Sequence, residues 1–135
     1  MHLEPKPLSE GTMDTEQFLK ITRLRPEARV EFFVPYVQEH QKLWGLHGEN
    51  GWIMVDSGGE LCLPIWPNPD FVIAWERDDF PNCQPKAIEL DEFNQHWAEG
   101  LTRNNTLLLL FPCGEEEEGI VMSGLEFKEC LENGL

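Results

Sequence analysis

The chain has 135 residues, 41% of them apolar, and a formal net charge of −15. That length suits one hydrophobic core, and five Trp and eight Phe residues are too much bulky material for a disordered chain. The acidity argues against nucleic acid as a partner, since phosphate backbones call for clustered Lys and Arg. No apolar run approaches the ~18 residues that span a bilayer, so a membrane is not expected either.

Residues 1–13 carry little periodicity and read as a loose leader, leaving one domain over 14–135. Asp14 is placed to cap a helix with Gln17 three residues on, and Phe18 and Ile21 form its apolar side. Arg25-Pro26 ends that helix and opens a second one. In the second, Val30, Phe33, Val34 and Val37 fall at i, i+3, i+4 and i+7, a single buried stripe. Pro35 lies within that pattern and is expected to kink or end the helix.

The period then changes from helical to alternating. Leu43 to Leu46, Trp52 to Val55 and Leu61 to Ile65 read as three strands of a meander, turned at Asn50-Gly51 and at Asp56-Ser57-Gly58-Gly59. Pro64 cannot donate a ladder hydrogen bond, so the third strand should end there or lie at an edge. Asn68 is placed to cap a helix over 69–77, with Phe71, Ala74 and Trp75 inward. Lys86 to Leu90 reads as a strand. A helix over 91–102 follows, with Phe93, Trp97 and Leu101 stacked inward at i+4 spacing. Leu107 to Phe111 and Ile120 to Met122 read as the last strands, joined by a four-glutamate turn. Ser123 and Glu126 form a capping box for a final helix bearing Phe127, Cys130 and Leu131. The sum is an α+β fold: an antiparallel-dominated sheet of about five to six strands, two N-terminal helices, and helices packed on one face.

Several of these segments occur together in a known order. Trp44-Gly45-Leu46, Gly51-Trp52, Leu63-Pro64-Ile65-Trp66-Pro67 and the run from Pro85 to Phe93, with Trp97 beyond, resemble the bacterial domain of unknown function 2750 family over roughly 14–132. More faintly, the Leu63 to Met122 portion is similar to the N-terminal domain of the enhanced-serine-sensitivity protein family. That second resemblance implies a mixed sheet with helices packed on it. Neither brings a catalytic mechanism to these residues.

Catalytic signatures are sparse. There is no nucleophile elbow, phosphate loop or dinucleotide glycine fingerprint. Cys62, Cys83, Cys113 and Cys130 show no C-x-x-C spacing, so neither a metal nor a cofactor is expected and the thiols read as reduced. The start Met1 to Pro7 lacks the pattern of a signal peptide, which predicts a cytoplasmic protein. His47, at a hairpin, would make a metal or Cys–His site only if Cys62 or Asp56 came beside it. Lys20, Arg23, Arg25 and Arg29 read as a basic stretch that solvates the first helices, with a small anion-binding patch as the sharper alternative.

The tryptophans are the stronger lead. Trp44 and Trp52 flank one hairpin, Trp66 sits in a proline-bound corner and Trp75 follows shortly. With His47 they make the candidate binding residues, since indoles held at such corners line grooves for a partner. Residues 51–135 hold seventeen acidic against four basic side chains, which would draw a basic protein partner. The preferred function is a non-enzymatic interaction or regulatory module. The alternatives are an acidic immunity-type protein that neutralises a basic toxin, and an unrecognised hydrolase or metal enzyme.

Overall fold

The computed structural model describes residues 14–75, 82–113 and 120–133. The expected leader and the four-glutamate turn lie outside them. Asp14 accepts the Gln17 N–H at 3.1 Å, satisfying one of the open donors of helix α1 (Thr15–Thr22). Helix α2 (Pro26–His40) begins on its proline, as the Arg25-Pro26 pair predicts. Its stripe of Val30, Phe33, Val34 and Val37 is buried.

Pro35 does not end α2, which continues to His40. The ring is exposed, on the side away from the buried stripe. Packing of that stripe outweighs the hydrogen bond that proline cannot donate. The chain leaves the helix at Gln41, in the left-handed region with φ 63°.

The expected single meander is divided between two sheets. Strand β1 (Lys42–Gly48) pairs antiparallel with β2 (Gly51–Trp52) and with β5 (Gln84–Glu89), in the order β2-β1-β5. Strands β3 (Val55–Ser57), β4 (Glu60–Ile65), β6 (Leu107–Leu110) and β7 (Ile120–Met122) form the second sheet in that order. Ile53 and Met54 carry the chain from one sheet to the other, so the predicted strand at 52–55 is interrupted. Among the described residues the sheets meet at an antiparallel bridge, where Trp44 and Trp66 exchange backbone hydrogen bonds of 2.8 Å.

Two other expectations are corrected. The first hairpin pairs Gly48 with Gly51, so Glu49 and Asn50 form its loop and the positive φ (116°) falls on Gly51 alone. Pro64 lies in an interior strand, because β4 also pairs in parallel with β6. Its nitrogen points to the same side as that of Trp66, away from β6. The β3 ladder has ended by then at Cys62, so no ladder bond is lost there. The Gly58-Gly59 turn is as expected, with Gly59 N–H donating to Asp56 Oδ1 at 3.0 Å.

Asn68 caps α3 (Pro69–Ala74) by accepting the Asp70 N–H at 2.8 Å. Residues 90–103 form one helical run in three parts: α4 (Leu90–Glu92), a π-turn (Phe93–Trp97) and α5 (Ala98–Arg103). Ser123 and Glu126 make the predicted reciprocal box at the start of α6 (Gly124–Asn133), with bonds of 2.7 and 3.0 Å. α5 and α6 approach so closely that a Cβ on Gly124 would lie 2.7 Å from the Ala98 carbonyl oxygen. One apolar cluster runs from Ile21 to Leu131, with Phe33, Phe93, Phe111 and Phe127 fully enclosed. None of the described helices is long and apolar enough to cross a membrane.

Candidate functional site

Successive side chains of a strand point to opposite faces, and paired residues share a face. On β1 this puts Leu43, Gly45 and His47 on one side. Register adds Ile88 opposite Leu43, Lys86 opposite Gly45, Gln84 opposite His47, and Trp52 opposite His47 on β2. Leu43 and Ile88 are buried, whereas Lys86 and Gln84 are exposed. The face therefore grades from core to solvent, and Trp52 lies at the open end.

Gly45 leaves the space that the Trp52 ring fills. A Cβ built on Gly45 would lie 3.0 Å from Trp52 Cζ3 and 3.1 Å from Cε3. His47 meets the indole edge-on, with centroids 5.0 Å apart. Trp97 meets it edge-on too, at 5.2 Å and 88°. Lys86 Nζ lies 5.6 Å from the ring centroid, a cation–π contact. Both indoles stay partly exposed.

Trp97 joins this group because of the π-turn. The Ala98 N–H donates to the Phe93 carbonyl, five residues back, and the wider turn moves Trp97 off the Phe93–Leu101 line. Phe93 and Leu101 are buried as expected, while Trp97 is only partly buried, packed against the core with one side left to solvent.

The other candidate tryptophans go elsewhere. Trp66 is 0% exposed and donates through Nε1 to the Pro112 carbonyl at 2.8 Å. Trp75 is 3% exposed and packs on Trp66, with ring centroids 5.1 Å apart. Both are core residues and cannot offer a face to a partner, which removes them from the expected aromatic corner. Trp44 is partly buried and stands on the opposite side of β1 from Trp52.

The alternative site at His47 is not assembled. Cys62 belongs to the second sheet, where its thiol donates to the Glu60 carbonyl at 3.6 Å, and Asp56 Oδ1 is taken by the Gly59 N–H. Among the described residues no three His, Cys, Asp or Glu side chains converge as metal ligands. Burial holds the Cys62 thiol above its ordinary pKa, and the Glu60 and Asp56 carboxylates push it the same way. Burial likewise raises Cys113 against the opposing pull of Arg29, and raises Cys130 together with Glu129 and Glu126. Thiols shifted in that direction are poor nucleophiles at neutral pH.

Arg29 does not belong to an open anion-binding patch. It is buried, with Nε donating to the Phe111 carbonyl at 3.0 Å and a terminal nitrogen donating to the Leu24 carbonyl at 2.6 Å. It ties the start of α2 to the end of β6, where Phe111 holds a left-handed φ of 57°.

The family comparison bears on the whole of this architecture. The model of a family described as protein of unknown function, DUF2750, matches residues 30–131. The chain belongs to that family. Both sheets and the Trp52–Trp97 pair lie inside the DUF2750 match, whereas α1 lies before it. No curated protein matches the chain.

Sequence reasoning on this DUF2750 chain found Trp52 and His47 but missed Gly45, Lys86 and Trp97 as their companions. A signal for one existed: Gly45 and His47 are two apart on a strand and share a face. Lys86 required the β1–β5 register, and Trp97 required the π-turn.

Proposed function

We propose that this DUF2750 protein is a non-enzymatic interaction module whose contact surface is the Trp52–Trp97 platform, with His47 and Lys86 at its sides, and whose partner is a basic protein. The observation that carries this reading is the pair of partly exposed indoles packed edge to face, with the Trp52 ring resting on Gly45. A large aromatic side chain already ordered by its neighbours loses little freedom on contact and brings much apolar area, the profile of an interface anchor. Contact is favoured over catalysis in that His47 and Lys86 are both turned onto the Trp52 ring. The basic partner follows from the excess of acidic side chains over residues 51–135.

The test is affinity capture with the purified full chain, with Trp52→Ala and with Ile73→Ala. Ile73 serves as the control because it is an exposed apolar residue on α3. A discrete basic protein should be retained by the wild type and by Ile73→Ala and lost with Trp52→Ala. Equal capture by all three forms would overturn the assignment.

A further inference from the structure

We propose, resting on the contact surface above, that the shallow depression beside Trp97 is a helix-packing hole, and that a helix of the partner sets an apolar side chain into it. The depression holds about 270 Å³ and is lined by His96, Trp97, Gly100, Leu101 and Asn104. Four of these, Trp97, Gly100, Leu101 and Asn104, stand at i, i+3, i+4 and i+7 along the end of the helical run 90–103. Four residues so spaced make the hole into which a facing helix sets a side chain when two helices pack. Sites that enclose small molecules run to about 300–1,000 Å³, so this one suits a single side chain.

Gly100 is the decisive residue. Glycine weakens a helix interior, so its place there calls for a reason. Gly124 shows one such reason: α5 and α6 pack so closely that a Cβ on it would lie 2.7 Å from the Ala98 carbonyl oxygen. A Cβ on Gly100 would meet nothing within 4 Å among the described residues, and the backbone there is helical. No described neighbour calls for glycine at that point, whereas a facing helix would, since the missing side chain deepens the hole. The side chain received is apolar, because the lining offers an indole and a leucine and, among the described residues, no Lys, Arg, Asp or Glu. It comes from the partner, since a second copy would bring the same net charge of −15 and be repelled. Trp97 belongs both to the hole and to the Trp52 platform, so the two surfaces are continuous.

The probes are two fluorescein-labelled synthetic peptides of about 20 residues, long enough to be helical alone. Both are built of Ala and Lys with equal charge. One carries leucines at i, i+3, i+4 and i+7, and in the other glutamine replaces them. By fluorescence anisotropy the leucine peptide should bind the full chain about tenfold or more tightly, the contrast expected of a buried apolar anchor. Gly100→Leu fills the hole with a good helix former, so the variant should melt at or above the wild-type Tm and bind the leucine peptide about tenfold more weakly. A lower Tm would mean that this glycine serves the fold itself and would overturn the proposal. Equal binding of the two peptides, unchanged in Gly100→Leu, would mean diffuse charge attraction only and would overturn it too. If Trp52→Ala weakens the leucine peptide and Gly100→Leu does not, the contact surface stands and the hole fails. Weakening by Gly100→Leu alone would keep the hole and remove Trp52 from the surface. Should the chain sediment as a dimer that Gly100→Leu dissociates, a second copy fills the hole and the assignment to a partner is overturned. Binding by neither peptide overturns the proposal as well.

Discussion

Trp52 and Trp66 show how one residue type serves two ends in a chain of this size. Trp66 is 0% exposed, bridged through its backbone to Trp44 and through its indole N–H to Pro112. Trp52 is partly exposed, and its ring rests on Gly45. Trp66→Ala removes a fully enclosed indole and leaves a carbonyl without its donor, so it should destabilise by about 3–5 kcal/mol. Trp52→Ala removes a ring that already meets water, and its cost should be about 1–2 kcal/mol. Denaturant unfolding of both variants checks the contrast. Equal losses would place Trp52 in the core and remove it as a contact residue. The hairpin register separates Trp44 from Trp52. Trp52 pairs with His47, and position 44 is an odd number of residues from 47, so the two indoles fall on opposite faces.

At the scale of the element, local signals and tertiary packing divide the outcome. Asp14, Asn68 and the Ser123–Glu126 box cap their helices as the sequence predicts, because a cap is made within three residues of itself. Pro35 is the case where packing prevails. Its local preference is to break α2, yet Phe33, Val34 and Val37 around it are each at most 2% exposed and hold the helix together. Pro35→Ala restores a backbone donor at an exposed position and should stabilise the protein by up to about 3 kcal/mol. The thermal midpoint measures this, and a fall on substitution would show that the ring itself makes a needed contact. The π-turn is the other tertiary outcome. No residue type in Phe93–Trp97 forbids an ordinary helix, and the wider turn leaves Trp97 at the rim of the core, against Trp52.

At the scale of the molecule, the net charge of −15 is carried by a chain with ten Lys and Arg residues against twenty-five Asp and Glu, and at least three of those ten are already engaged. Arg29 is buried on carbonyls, Lys86 lies over Trp52 and Arg103 is paired with Glu99. Self-repulsion of the remaining carboxylates should therefore lower stability at low ionic strength. Raising salt from about 0.01 M to about 0.1 M shortens the screening length from about 30 Å to about 10 Å, and Tm should rise with it. A flat Tm over that range would mean the acidic groups are spread too widely to interact.

What the sequence by itself determined was the α+β class, most of the element positions, the caps and the Gly58-Gly59 turn, together with membership of its family. These depend on residues within a few positions of one another, or on an ordered set of motifs along the chain. The division into two sheets was decided only by tertiary structure. It depends on the parallel pairing of Cys62 to Ile65 with Leu107 to Leu110, and on the Trp44–Trp66 bridge. The candidate site was decided the same way. Trp52 meets Lys86 and Trp97 through the β1–β5 register and a turn of helix from far along the chain. Alternation along one strand tells which side chains share a face. Which distant side chain comes to lie on that face is settled by the packing of the whole core.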